Sequence, residues 1–155
     1  MAATQDEGLN DEDHQGLSAV TFRVEGMASA PQGSKRHVGK GRMIESSSNV
    51  LPWRLLVARS AMDANIKMHR GPVKITVCFL FTRPSGHFRK DGTLKPSAPK
   101  FHAVKPDIDK LQRSTYDGLA DLAYENDSRI CGVVVDKRYC VGNERPGAII
   151  TIISL

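Results

Sequence analysis

The run from Gly71 to Pro84, GPVKITVCFLFTRP, does most to limit what this chain can become. Val73, Ile75 and Val77 alternate with Lys74 and Thr76, and from Val77 to Phe81 every residue is apolar. A strand with that pattern suits the centre of a sheet covered on both sides. Gly-Pro opens it and Arg83-Pro84 closes it, as turn-forming residues do.

The cover comes from two helical stretches. In NVLPWRLLVARSAMDANIKMH, beginning at Asn49, the residues Trp53, Leu56, Val57, Ala61, Ala64 and Met68 recur at helical spacing. Asn49 is placed to cap this helix and Pro52 suits its first turn; Trp53 reads as a core anchor. The second helix runs from about Pro106 to Ala123, with Ile108, Leu111, Thr115, Leu119 and Leu122 on one buried face. AVTFRVEG alternates as a half-buried first strand, RICGVVVDKRY is a third and AIITIISL a fourth. The order β-α-β-α-β-β describes an α+β domain, a small mixed sheet with two helices packed on it. At 155 residues the chain has room for one such domain.

Charge is unevenly distributed. Five of the 17 acids (Asp6, Glu7, Asp11, Glu12 and Asp13) lie in residues 1–18, which hold no Lys or Arg and read as a disordered acidic tail. Residues 19–155 therefore carry 22 basic against 12 acidic residues, +10. A basic body of this kind favours a polyanionic partner, nucleic acid before a membrane surface. No apolar run approaches the roughly 20 residues of a membrane span, and the acidic N-terminus is unlike a secretory signal. Cys78, Cys131 and Cys140 form no CxxC pair and read as free buried thiols in a reducing cytoplasm.

Two loops concentrate the basic residues. MASAPQGSKRHVGKGRMIESSSN holds Lys35, Arg36, His37, Lys40 and Arg42 among glycines that would let a backbone approach phosphate closely. Ser85–Lys105 holds Arg89, Lys90, Lys95, Lys100 and Lys105 against the single acid Asp91. Loops of such length within a small domain are usually functional or disordered.

The carboxylates that follow are the candidate chemistry. In KPDIDKLQRS, Asp107 stands at the helix start and Asp109 one residue into it, with Arg113 and Asp117 continuing the Asp109 stripe at i+4 and i+8. Two converging carboxylates repel unless a cation intervenes, and Mg²⁺ suits all-oxygen ligation by one or two carboxylates, water and substrate phosphate. Asp127, in the next turn, would supply a third acid if helix and strand run antiparallel. Against this stands a plain alternative: Asp107 and Asp109 complement the helix dipole, Asp109–Arg113 is a surface pair, and Asp127 forms a turn. Spacing alone leaves both open.

The whole stretch KPDIDKLQRSTYDGLADLAYENDSRI resembles the RusA family of Holliday-junction resolvases, including versions carried by bacteriophages. Asp107 and Asp109 match the family's first two acids, Lys110-Leu111 the next pair, Arg113 its catalytic lysine and Asp127 its last metal-binding acid. APQGSKRHVGKGR, PWR and GPVKITV match the flanks, so the resemblance covers roughly residues 19–155. It implies a Mg²⁺-dependent endodeoxyribonuclease, with Mn²⁺ as a substitute, acting as a homodimer that nicks a four-way junction symmetrically. Asp107, Asp109 and Asp127 would hold the metal and Arg113 would assist charge stabilisation. Lys35, Arg36, Lys40, Arg89, Lys90, Lys105 and Lys110 would contact DNA. His102, near the acids, would touch DNA or sit as an exposed loop histidine. Asn126 stands where the family often has a second aspartate. Arg113 keeps the lysine's charge but cannot lose a proton. The alternative function is a basic branched-DNA-binding module with the same fold and no catalysis.

Overall fold

The computed structural model describes residues 18–33, 35–37, 39–41, 43–45 and 47–155, with the backbone alone at 35, 36 and 43–45. The acidic segment 1–17 and Arg42 lie outside the described residues. The elements are β1 (Ala19–Glu25), β2 (Lys35–His37), β3 (Met43–Glu45), α1 (Val50–Asp63), β4 (Val73–Phe81), α2 (Ile108–Leu119), β5 (Ile130–Tyr139) and β6 (Gly147–Ser154).

The main sheet has the order β1-β6-β4-β5. Strand β4 is interior, as its apolar run requires, pairing antiparallel with β6 and parallel with β5; β1 closes the other side antiparallel to β6. This is the expected small mixed sheet. The expectation of cover on both faces of β4 needs correction. Val73, Ile75, Val77, Phe79 and Phe81 are buried, whereas Lys74, Thr76 and Cys78 are only half-buried. Both helices pack on the first face, and only Leu80 among the alternate residues is fully buried. The apolar end of β4 therefore reflects its central place in the sheet and one buried position on the open face.

Phe22, Val24, Ile75, Val77, Phe79, Ile150 and Ile152 form the sheet's side of the core, and Trp53, Val57, Ala61, Leu111 and Leu119 the helical side. Trp53 is fully buried and its Nε1 donates to Thr115 Oγ1 at 3.1 Å. Beside it, Arg54 Nη2 meets Asp117 Oδ2 at 2.6 Å, a second tie between the helices. Gly118 allows the close crossing: a Cβ there would lie 3.0 Å from the Arg54 carbonyl and 3.1 Å from Val57 Cβ.

Several local readings differ from the sequence pattern: α2 ends at Leu119 rather than Ala123, and the Asn49 side chain makes no capping hydrogen bond to α1. Helix α1 stops at Asp63 because Asn65 takes a left-handed conformation (φ 54°). Its amide donates to Met62 O and that of Ile66 to Ala61 O, which closes the helix end. Met68 therefore lies outside the helix and is exposed. Within the long Gly/Ser-rich stretch, β2 and β3 pair as a short antiparallel hairpin. Its tip carries positive φ at Gly39, Lys40 and Gly41. The three cysteines are free, but none is fully buried: Cys78 and Cys140 are half-buried and Cys131 is exposed.

Candidate active site at the head of α2

Helix α2 starts where the chain returns from the basic 85–105 segment and runs back along β5. Its head is held by Lys137 of β5, whose Nζ donates to both Val104 O and Pro106 O at 2.6 Å. Asp107 occupies the N-cap position with extended backbone (φ −71°, ψ 141°), yet its side chain makes no capping hydrogen bond. An Asp in that position ordinarily accepts from a first-turn amide. Here the carboxylate instead stands 3.4 Å from Lys110 Nζ. Asp109 lies in the first turn and, like Asp107, is exposed. Both line one open hollow with Ala103, Val104, Lys105, Ile108 and Lys137. The structure thus brings Asp107 and Asp109 together on a surface flanked by cations, and leaves the Asp107 carboxylate free of capping duty.

Asp127 sits elsewhere. It opens a 3-10 turn just before β5, and Asn126 does the capping there, its Oδ1 accepting from Ser128 N at 3.1 Å and from the Ser128 hydroxyl. Asn126 is thereby a turn former, and Asp127 enters the turn through its backbone carbonyl, which accepts from Ile130 N, while the capping side chain is that of Asn126. Burial raises the Asp127 carboxyl above its usual range, the nearby charge of Asp117 adds to this, and Arg113 works against it. Asp127 therefore groups with Asp117 and Arg113. Asp117 is two turns beyond Asp109, about 12 Å along the helix at 1.5 Å per residue. Because α2 runs antiparallel to β5, the start of the strand meets the tail of the helix, not its head. Among the described residues no group of three or more His, Cys, Asp or Glu side chains is arranged to hold a metal ion.

Arg113 is exposed on the face between the two groups, with a Cβ built at Gly33 coming within 3.9 Å of its Nη1. The stripe Asp109–Arg113–Asp117 exists as read, but Asp117 is committed to Arg54.

Of the candidate DNA contacts, Lys40, Arg89, Lys90 and Lys105 are exposed and Lys110 is half-buried beside Asp107. Lys35 and Arg36 lie in β2, with only their backbone described. Lys95 is turned to another use, its Nζ donating to Gly86 O at 2.7 Å. Lys137 was not among the expected site residues. The sequence places it in the third strand, and nothing there shows that this lysine reaches the head of α2.

His102 is a correction. It is not exposed: at 8% exposure its ring stacks on Phe81 with centroids 3.9 Å apart. Tyr139 meets it edge-on at 5.0 Å. Burial first, and the charge of Lys137 second, hold its pKa below the ordinary histidine value.

The fold is α+β, with a carboxylate pair at a helix head and exposed cations on the adjoining segments. The family model of endodeoxyribonuclease RusA matches residues 27–153, nearly the whole chain. The chain belongs to that family, whose members are nucleases acting on branched DNA such as Holliday junctions. No curated protein matches it. Among the described residues no helix is long and apolar enough to cross a membrane.

Proposed function

We propose that this chain is a divalent-metal-dependent Holliday-junction resolvase that makes paired symmetric nicks in four-way DNA as a homodimer, in the cytoplasm of a bacterial host. The observation that carries this reading is the Asp107 carboxylate, which stands at a helix N-cap without capping it and shares an open hollow with Asp109. Two solvent-open carboxylates with space for water and a phosphate are the donor set Mg²⁺ asks for. Asp107 and Asp109 would hold Mg²⁺, or Mn²⁺ in its place, with Asp127 as third carboxylate. When bound, the ion supplies Lewis-acid polarisation of the scissile phosphate and activation of water.

The chain's own groups do the rest. Lys137 holds the backbone ahead of α2 so that Asp107 and Asp109 face one hollow. Arg113, permanently charged, offsets charge that builds on the phosphate in the transition state. Lys40, Arg89, Lys90, Lys105 and Lys110, with Lys35 and Arg36, grip the DNA backbone and position it. In a homodimer, Asp127 of one copy would complete the acid set of the other. Two such sites per dimer match two symmetric cuts.

The test is Mn²⁺ binding followed by electron paramagnetic resonance. Wild type should bind Mn²⁺, more tightly with a four-way junction present, and Asp109→Asn should lose that binding. Equal Mn²⁺ binding by both proteins would remove Asp109 from the site. Tight junction binding with no metal uptake would favour a non-catalytic branched-DNA-binding module.

A further inference from the structure

A second hollow, of about 480 Å³, adjoins the carboxylates and shares Lys105 and Asp107 with theirs. Its size falls within the roughly 300–1,000 Å³ of pockets that enclose small ligands. Its walls are of mixed character. Ala28, Pro31, Phe81 and Pro106 are apolar, while Lys105, Lys110 and Asp107 bring charge and Ser29 a hydroxyl. A phosphate subsite would not be walled by an aromatic ring and two prolines, nor open onto a carboxylate. A flat heteroaromatic group attached to a phosphate backbone satisfies both parts: apolar walls for the ring, lysines for the flanking phosphates.

Two further features support a ring as occupant. Ser29 is only 4% exposed and among the described residues its Oγ has no hydrogen-bond partner, an arrangement that costs stability unless a ligand supplies the missing bond. Phe81 is braced from behind by the stacked His102, itself braced by Tyr139, so that wall is rigid. The segment carrying Ala28 to Pro31 is also anchored to α2, through Ser114 Oγ to Ala30 O at 2.5 Å and Gln32 N to Lys110 O at 3.0 Å.

We propose that this hollow is a nucleobase subsite. It receives the base of a nucleotide adjoining the phosphate at Asp107 and Asp109, turned out of its stack, and so sets which sequences are cut. Unstacking costs a few kcal/mol in a duplex and less where pairing is already broken, as at a branch point. The proposal rests on the nuclease reading above.

The experiment uses four-way junctions carrying 2-aminopurine singly at each position around the cut, with EDTA or Ca²⁺ in place of Mg²⁺ to hold off cleavage. Protein is added until anisotropy shows the junction saturated. The expected result is a fluorescence rise confined to one position next to the cut, lost in Ala28→Trp, which fills the hollow from an exposed residue. In a second variant, Ser29→Ala, which removes only the unpartnered hydroxyl, cut mapping in Mg²⁺ should show weakened preference between bases at that position. Saturated binding with no rise anywhere, or a rise that survives Ala28→Trp, would overturn the subsite and leave the nuclease reading standing. Failure to bind branched DNA at all would overturn both.

Discussion

The carboxylate of Asp107 stands 3.4 Å from Lys110 Nζ and makes no capping hydrogen bond to the helix it begins. An aspartate at an N-cap that caps nothing contributes little to folding. Replacing a working cap costs about 0.5–2 kcal/mol, and an exposed ion pair is worth about 0–1 kcal/mol. Asp107→Asn should therefore leave thermal stability close to wild type while removing junction cleavage. A large drop in melting temperature would return Asp107 to a structural role.

Asp109 lies in the first turn of α2 and Asp127 in the 3-10 turn after the helix, beside the charge of Asp117, which gives a second prediction. If the acid set is completed between subunits, mixing Asp109→Asn with Asp127→Asn restores one intact site in each mixed dimer. Two individually inactive proteins should then nick junctions when combined, on one strand of the pair. Mixtures that stay inactive after subunit exchange would place all three acids in one chain.

Gly118 makes a third. Alanine normally gains about 0.8–1.0 kcal/mol over glycine inside a helix. At this crossing the new Cβ would stand 3.0 Å from the Arg54 carbonyl, a backbone atom that cannot swing aside, and overpacking costs about 1–3 kcal/mol. Gly118→Ala should destabilise on balance, measured by urea midpoint, and loosen the Arg54–Asp117 pair.

Much of this arrangement was legible in the chain. Leu111, Thr115 and Leu119 are buried as their spacing implies, and Trp53 is the anchor its position suggested. Period and composition report burial, so they found strands, helices and core faces. They do not report which strand lies beside which. The parallel pairing of β4 with β5 sends Asp127 to the tail of α2, and no spacing could show it. The same holds for His102 and Lys137. Each sits in its place because a distant partner, Phe81 or the backbone at Val104 and Pro106, meets it there. Helix α1 was read too long because Asn65 looks unremarkable until its φ is known.

His102 carries a pH prediction. Its folded pKa lies below the ordinary 6.5, through burial and then Lys137, so the folded chain binds fewer protons than the unfolded one as acid is added. Stability should fall as pH drops below 6.5 and level off once pH passes the lower folded value. His102→Phe keeps the stack on Phe81 and should flatten that part of the profile. Parallel profiles for the two proteins between pH 7 and pH 5, a window of about 2 units around the ordinary histidine pKa, would contradict this.

The most direct test of the central claim is incubation of the full chain with a synthetic four-way junction, in Mg²⁺ or in EDTA, beside Asp109→Asn. The account predicts paired symmetric nicks that require the metal and disappear in the variant. Junction binding without cleavage in Mg²⁺ or Mn²⁺, or cleavage undiminished by Asp109→Asn, would contradict it.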